Sequence, residues 1–240
     1  MDNKKETIGV VIPAFNSSAD INLTLLSLKE TNQVFDADLL LVDGGSIDNT
    51  IEIATSYGAR IINTSPNRGN QLALGALAVK GDWLLFIHAD TQLEEGWIKT
   101  VNDFIKNPKN SNNVAYFHLA FNDQKQAARR LEKITEWRCR FLKMPYGDQG
   151  LLIKRSLYNS VGGYQPLALM EDVDLIRRLK SHKLIPLPAT AITSANRYSQ
   201  KGYLIRSARN LLCLTLYYLG IPIKLIHRIY GWADVPPALS

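Results

Sequence analysis

Residues 39–50 read LLLVDGGSIDNT, and this stretch decides the fold class of the chain. Its first four residues are apolar without interruption, which is typical of a strand buried on both faces of a parallel sheet. The residues Asp43-Gly44-Gly45 end the strand, and Asp48 is a good N-cap for a helix that stops at Gly58. A buried strand followed at once by a capped helix predicts the start of a βαβ unit.

The same alternation continues on both sides of this stretch. Apolar runs at residues 8–15, 59–63 and 83–87 predict three further strands. Between them, apolar side chains recur at helical spacing in residues 21–28, and small residues favour a helix over 70–80. The order of strands and helices predicts right-handed crossovers and an α/β fold with a mostly parallel central sheet flanked by helices.

Polar residues follow three of these strands at the point where each one ends. They are Asn16, Asp43 and Asp90. In open α/β sheets, ligands bind in the crevice beyond the carboxyl ends of the strands. We therefore expect these three side chains to share one ligand-binding crevice.

The later chain is less regular, with predicted strands at 114–121, 151–153 and 191–194 and predicted helices at 126–142 and 171–179. We expect residues 1–200 to form one catalytic domain and residues 201–240 a helical C-terminal segment.

Composition places the chain among globular proteins, since 46% of its 240 residues are hydrophobic and 21% are charged. The net charge of +6 suits phosphate-bearing ligands or an anionic membrane surface, and it is too small to predict nucleic-acid binding. Cys139 and Cys213 lie far apart and indicate two buried thiols in a reducing compartment. The polar N-terminus lacks the apolar core of a signal peptide, so we expect a cytoplasmic protein.

Four segments now occur in a characteristic order: IPAFN at 12–16, LVDGGSIDNT at 41–50, HAD at 88–90 and MEDVDL at 170–175. In this order they resemble the family-2 glycosyltransferases of the GT-A fold. The stretches NRGNQ at 67–71 and YGDQG at 146–150 are similar to a bacterial branch of that family with unassigned acceptors. The resemblance implies transfer of a sugar from a nucleotide-sugar donor, usually a UDP-sugar, with inversion at the anomeric carbon.

The resemblance also implies a set of donor-binding residues: Pro13, Ala14, Asn16, Asp43, Gly44, Arg68, Ala89 and Arg197. A carboxylate at Asp43 can accept hydrogen bonds from uracil or ribose, and Gly44-Gly45 lets the backbone approach a ligand closely. The guanidinium groups of Arg68 and Arg197 could bind the nucleobase or the diphosphate of the donor, and Lys201 lies close to Arg197 in the sequence. Each assignment has a structural alternative. Asp43 could instead be a turn residue, and the three basic side chains could be solvated loop residues.

His88-Ala89-Asp90 occupies the place of the family's metal-binding Asp-X-Asp. Alternate side chains of an extended segment share a face, so two of them can hold Mn²⁺ or Mg²⁺ against a diphosphate. We expect Asp90 to bind the metal, while His88 is either a second ligand or a hydrogen-bonding partner of a neighbouring loop.

The segment with Glu171 and Asp172 matches the family's ED motif, whose carboxylate deprotonates the acceptor hydroxyl. We expect Asp172 to be the base and Glu171 the second choice. Acidic residues also complement the dipole in the first turn of a helix, which is the structural alternative. We expect Asp148 and Gln149 to contact the acceptor or the donor sugar.

The C-terminal segment from residue 204 to 227 mixes basic and apolar residues and is broken by Gly220 and Pro222. Its apolar run is too short to span a bilayer. It either packs on the domain or lies on anionic headgroups, at the inner face of the cell membrane. A lipid-linked acceptor would fit the second alternative.

Two other functions compete with the transferase. A sugar-phosphate nucleotidyltransferase usually carries a basic, glycine-rich loop after the first strand, and residues 13–20 have none. A catalytically inactive nucleotide-sugar-binding protein is supported by the replacement of the first motif aspartate by His88.

Overall fold

The computed structural model describes residues 5–196, 198 and 202–230. These residues form an eight-stranded sheet in the order β3-β2-β1-β4-β7-β6-β8-β5. Its strands are β1 (Thr7–Ala14), β2 (Asp36–Asp43), β3 (Arg60–Asn63), β4 (Trp83–Phe86), β5 (Thr91–Leu93), β6 (Val114–Phe121), β7 (Leu151–Lys154) and β8 (Leu184–Thr193).

Helices connect and cover these strands. They are α1 (Ile21–Leu28), α2 (Thr31–Val34), α3 (Thr50–Ser56), α4 (Arg68–Ala78), α5 (Trp97–Lys106), α6 (Gln126–Trp137), α7 (Arg155–Ser160), α8 (Glu171–Arg178), α9 (Tyr203–Tyr218) and α10 (Ile223–Tyr230). A π-helical turn, Arg138–Leu142, continues α6, and short 3-10 turns occur at Pro108–Asn110 and Gly147–Gln149.

The first half of the sheet confirms the predicted βαβ arrangement. Strand β1 pairs in parallel with β2 and β4, and β2 pairs in parallel with β3. Successive residues of β1 enter different cores, because Val10 belongs to the cluster on one side of the sheet and Val11 to the cluster on the other. Burial on both faces explains why β1, β4 and the second half of β2 are uninterrupted apolar runs in the sequence.

The second half makes the sheet mixed. Strand β7 is antiparallel to both β4 and β6, β8 is parallel to β6, and β5 is antiparallel to β8. The prediction of an α/β, GT-A-like fold is confirmed. The predicted strand at 191–194 was too short, because β8 begins at Leu184 and contains Pro186 and Pro188. Proline has no N–H group to donate to a neighbouring strand, so a segment with two prolines is not readily predicted as a strand.

The carboxyl ends of β1, β2 and β4 lie side by side. Ala14 is in register with Asp43, and Gly44 N donates to Ala14 O at 2.8 Å. The side-chain amide of Gln71, on α4, holds both strand ends, since its Nε2 donates to Ala14 O and Val42 O at 2.8 Å each. This edge therefore presents the three segments that end in polar residues.

Helices α9 and α10 pack against the start of α8. Cys213 and Ile226 form a buried cluster with Leu169, Met170 and Val173, which flank and begin the ED motif. Within the described ranges, no helix combines the length and the apolar character that a bilayer span requires.

Arg155 connects two elements of the fold and gives a test of it. Its guanidinium donates to the carbonyls of Ala76, Val79 and Gly81 at 2.6–2.7 Å, so it joins the start of α7 to the end of α4. Removing it leaves three carbonyls without this donor. We expect Arg155→Ala to lower the free energy of unfolding by about 2–4 kcal/mol in urea denaturation.

Arg130→Ala is the matched control, because Arg130 is an exposed arginine on α6. It should change the free energy of unfolding by less than about 0.5 kcal/mol. Equal stability of the two variants would contradict the role assigned to Arg155.

Candidate functional site

Asp43 organises the loop that follows β2. Its side chain is buried, its Oδ2 accepts from Gly45 N and Ser46 N at 2.8 and 2.7 Å, and its Oδ1 accepts from Ser46 Oγ at 2.5 Å. Gly45 has φ of +91°, a left-handed conformation that favours glycine. The carboxylate thus shapes the loop at the carboxyl end of β2.

Asn16 ties the first loop to the second. Its backbone N–H donates to Ser46 Oγ at 2.8 Å and its Oδ1 accepts from Ile47 N at 2.9 Å. Asp48 holds the same loops together, because its carboxylate accepts hydrogen bonds from Ser18 N and Thr50 Oγ1. Asp48 was the predicted N-cap of α3, but the residue directly before the helix is Asn49. Burial opposes the ionisation of Asp48, yet hydrogen bonds from Thr50 and Ser18 lower the pKa of Asp48 to about 2.

Asp90 and Asp148 come together from distant parts of the chain. Each has a buried Oδ1 that accepts no hydrogen bond from the residues described. Burial raises the pKa of Asp148 to about 6; Arg138 opposes this increase, and the carboxylates of Asp172 and Asp90 add to it. Several carboxylates therefore interact here with little hydrogen-bonding compensation.

The ED motif joins this cluster through the start of α8. Glu171 is buried, and its Oε1 lies 3.6 Å from Nη1 of Arg68. Burial raises the pKa of Glu171 to about 7, with Arg68 opposing the increase and Asp172 adding to it. Burial by itself would lower the pKa of Arg68. The nearby carboxylates, of which Glu171 has the largest effect, outweigh burial and raise that pKa.

Asp172 is only half-buried and faces the loop between the π-helical turn and β7. Its Oδ2 accepts from Gly147 N at 2.9 Å and its Oδ1 accepts from Val173 N at 2.7 Å. A Cβ on Gly147 would lie 2.6 Å from Nε2 of His88 and 3.6 Å from Oδ2 of Asp172. His88, Gly147 and Asp172 thus meet at one point.

Sequence reasoning missed Arg138 and Tyr146. The guanidinium of Arg138 stacks 3.4 Å from the ring centroid of Tyr146, and its Nε donates to Met144 O. Gln149 is buried below them, and its Oε1 accepts from Arg138 Nη2 at 3.3 Å. An arginine in an amphipathic helix resembles a solvated residue, and Tyr146 was noted only as the first residue of the YGDQG stretch.

A cleft of about 100 Å³ opens beside the ED motif. One wall holds Arg68, Glu171 and Asp172, while the other holds Asn210, Leu214 and Tyr230 from the C-terminal helices; Tyr146, Leu169, Met170 and Val173 complete the lining. Oδ1 of Asn210 is buried and without a hydrogen bond among the described residues. The C-terminal helices therefore contribute to the site.

The remaining predicted residues differ in their placement. Pro13, Ala14 and Ala89 are buried, and Ala89 O accepts from Thr24 Oγ1 at 2.9 Å. Gly44 packs tightly, since a Cβ there would lie 3.2 Å from Pro66 Cα. Arg197 and Lys201 lie outside the described residues.

Asp174, two residues after Asp172, is hydrogen-bonded to side chains of its own helix and of α9. Its Oδ2 accepts from Nη2 of Arg178 at 2.6 Å, and its Oδ1 accepts from Tyr217 OH at 3.2 Å. It therefore joins α8 to α9 instead of facing the cleft.

The predicted metal ligands do not form a complete ion site by themselves. Within the described part of the chain, no three His, Cys, Asp or Glu side chains are grouped so that they could hold a metal. The free Oδ1 of Asp90 nevertheless fits Mg²⁺ or Mn²⁺, because such ions are commonly held by one or two carboxylates together with substrate phosphates.

The four motif segments thus meet on a sheet of the GT-A type. A sequence profile of glycosyl transferase family 2 matches residues 9–166, and the chain belongs to this family. The predicted resemblance is confirmed.

Individual relatives show how far the similarity extends. Glucosyl-3-phosphoglycerate synthase of Mycobacterium tuberculosis is 31% identical over 93 residues, which are 35% of this chain and 29% of that protein. A PGL/p-HBAD biosynthesis glycosyltransferase of Mycobacterium bovis is 34% identical over 93 residues, 36% of each chain. The matches thus span about a third of these curated relatives.

Solved structures share the fold over most of this chain. S. aureus TarS 1–349 in complex with UDP-GlcNAc has a TM-score of 0.62 at 14% identity, covering 93% of this chain and 70% of that one. Glucosyl-3-phosphoglycerate synthase from M. tuberculosis with Mn²⁺, UDP-glucose and phosphoglyceric acid has a TM-score of 0.56 at 21% identity, covering 90% and 81%.

The raised pKa of Glu171 predicts a pH-dependent stability. The folded protein holds this proton more tightly than the unfolded chain, so the contribution is full below pH 4.5 and is lost as pH rises through about 7. We expect Glu171→Gln to raise the free energy of unfolding at pH 8 by about 1–3 kcal/mol, and the gain to shrink toward pH 5.

Denaturant titrations at several pH values between 5 and 8 measure this difference. Glu95→Gln, at an exposed position before α5, is the control and should follow the wild-type profile. If Glu171→Gln also followed that profile, Glu171 would have to be ionised across the whole range.

Proposed function

We propose that this protein transfers a sugar from a UDP-sugar to an acceptor hydroxyl, with inversion at the anomeric carbon. The observation that carries the proposal is the convergence of Asp90, Asp148 and the ED motif beside Arg68 at one edge of the sheet. A site rich in carboxylates suits a reaction that binds a divalent cation and removes a proton from a hydroxyl.

The donor nucleotide would lie over the loops that follow β1 and β2. Asn16 and Asp43 hold these loops in place, so a ligand would contact the backbone of the loops and the one remaining lone pair of Asp43 Oδ1. Four of the other predicted donor residues, Pro13, Ala14, Gly44 and Ala89, lie at or just after the ends of β1, β2 and β4, and Arg68 begins α4 nearby. Binding of UDP-GlcNAc by TarS and of UDP-glucose by glucosyl-3-phosphoglycerate synthase supports a uridine donor.

A divalent metal would be held by Asp90, with His88 or Asp148 as the second protein ligand. The buried, unsatisfied oxygens of Asp90 and Asp148 support this assignment, as does the Mn²⁺ in the structure of glucosyl-3-phosphoglycerate synthase. When bound, the ion would neutralise charge on the departing diphosphate.

Asp172 is the better base of the ED pair. Glu171 is buried, has a raised pKa and already interacts with Arg68. Asp172 is half-exposed and lines the cleft, and each of its oxygens accepts one backbone hydrogen bond and keeps a lone pair. It would take the proton as the acceptor oxygen bonds to the anomeric carbon and UDP leaves with the electrons of the broken bond.

The acceptor would enter the cleft between the ED motif and the C-terminal helices. Asn210 offers a free acceptor oxygen for a hydroxyl, while Leu214, Leu169 and Met170 offer apolar contacts. This lining suits an acceptor that carries a hydroxyl next to an apolar portion, such as a lipid-linked one.

An inactive nucleotide-sugar-binding protein is the second candidate, and the histidine in place of the first motif aspartate favours it. Hydrolysis of a UDP-sugar by the wild-type protein would separate the two, since a binding protein would not turn the donor over. Two features favour an active enzyme: Asp90 keeps a buried oxygen without a hydrogen bond from any described residue, and Asp172 lines the cleft.

The metal assignment predicts cation-dependent donor binding. We expect Mn²⁺ to tighten UDP binding by about tenfold or more in calorimetry, and Asp90→Asn to abolish this gain. Asp103→Asn, an exposed aspartate on α5, should retain it. If EDTA left UDP affinity unchanged, the diphosphate charge would have to be balanced by basic side chains alone.

The base assignment predicts a loss of turnover without a loss of binding. Asp172→Asn should lower the rate by about 10²- to 10⁴-fold, while UDP affinity stays near that of the wild type. Hydrolysis of the donor by water can report the rate until an acceptor is known, because water needs the same deprotonation.

Asp174→Asn, two residues later on the same helix, is the matched control and should turn over at a rate close to the wild type. Wild-type turnover by Asp172→Asn would move the base to Asp148 or Glu171. Thermal unfolding of both variants distinguishes a catalytic loss from a folding defect.

A further inference from the structure

Helix α6 and the π-helical turn after it expose an apolar stripe that the core does not use. The stripe consists of Ile134, Trp137, Phe141 and Leu142, which are 50–62% exposed. Their spacing places the first three along one side of a helix, and the rings of Trp137 and Phe141 lie 5.7 Å apart. We call these four side chains the α6 stripe.

Basic side chains surround the α6 stripe. Arg130, Lys133, Arg140 and Lys143 are all exposed, whereas Glu136 is the one exposed acidic residue between residues 130 and 143. The guanidinium of Arg140 lies 5.5 Å from the centroid of the Phe141 ring, so charge and apolar surface are interleaved. Aromatic side chains beside lysine and arginine are typical of segments that lie in a membrane interface.

The α6 stripe lies directly outside the candidate site. Arg138, between Trp137 and Cys139, stacks on Tyr146 of the cleft, and Cys139 Sγ donates to Gln149 Oε1 at 3.1 Å. The outer side of this segment is therefore solvent-exposed, while its inner side holds the loop that carries Asp148.

Helix α9 lies beside the same segment. Tyr203 OH donates to Asp123 Oδ2 at 2.8 Å just before α6, and Tyr218 OH lies 3.8 Å from Met144 Sδ just after the π-helical turn. Since α9 begins near the start of α6 and ends near the end of the turn, the two elements run in the same direction. Leu211 and Leu212 on α9 are also exposed.

We propose that the α6 stripe and its basic rim dock this protein on an anionic lipid surface. The rim has four positive charges to one negative, which complements headgroups such as phosphatidylserine. A second copy of the chain fits less well, because a two-fold contact through this surface would bring the basic rims together. The proposal goes beyond the transferase activity and does not require it.

Docking in this way would place the cleft at the membrane surface. The C-terminal segment is the one part of the sequence that predicts membrane contact, whereas the structure adds the helix that leads into the site. If the proposed function holds, a lipid-linked acceptor would reach Asp172 without leaving the interface.

Co-sedimentation with vesicles tests the proposal. We expect the full chain to sediment with vesicles of phosphatidylcholine and phosphatidylserine, to remain free with phosphatidylcholine alone, and to dissociate as salt increases. Trp137→Ser/Phe141→Ser should weaken binding to the mixed vesicles about tenfold or more. Leu77→Ser, which changes a leucine 82% exposed on α4, is the matched control and should bind like the wild type.

The charge requirement has its own pair of variants. Arg140→Gln/Lys143→Gln should weaken binding to mixed vesicles about tenfold, and Lys106→Gln/Lys109→Gln, at two exposed lysines of the α5 region, should not. UDP binding in solution should be unchanged in all these variants, which separates this test from the test of the proposed function and reports on folding.

Three outcomes would overturn the proposal. Wild-type vesicle binding by Trp137→Ser/Phe141→Ser would assign docking to another surface, such as the C-terminal helices. Equal binding to neutral vesicles would remove the role of the basic rim. Absence of vesicle binding together with a dimer in sedimentation equilibrium would assign the α6 stripe to a second copy of the chain.

Discussion

The gathering of like charges at the carboxyl edge of the sheet is the constraint on which the site depends. Asp90, Asp148, Glu171 and Asp172 affect one another electrostatically, and Arg68 is the cation that pairs with this group most directly. Buried carboxylates that lack partners are costly, so they persist only where the surrounding fold fixes them. Here the fixing elements are strand ends, the first turn of α8 and a loop clamped from below by Gln149.

The loops around the group are stabilised by side chains that the reaction itself need not use. Asp43 and Asn16 shape the first two loops, and Arg138 and Gln149 shape the third. Each of these residues forms hydrogen bonds with at least two others inside the protein. A substitution at any of them would therefore disturb ligand binding through loop geometry as well as through direct contact. Measurements on variants must distinguish these two effects.

The sequence allowed accurate prediction of the first half of the fold, because β1, β4 and the second half of β2 are buried apolar runs that are followed by polar motifs. Strand β8 was largely missed, since its prolines hide the pattern. The candidate acidic residues could be named from their motifs, but the pairing of Arg68 with Glu171 and the stacking of Arg138 on Tyr146 could not. The first contact joins residues far apart in the chain, and the second depends on how the segment after α6 turns back, so neither can be read from a local sequence pattern. The same reason concealed the contribution of Asn210 to the cleft.

The close approach of Gly147 to His88 couples two distant positions of the chain. A side chain at 147 would place a carbon 2.6 Å from Nε2 of His88, so any residue larger than glycine there requires the imidazole to move. An aspartate at 88, as in the usual family motif, is shorter and would relieve that restriction. We therefore expect a larger residue at 147 to be tolerated better once His88 has been replaced by a shorter side chain.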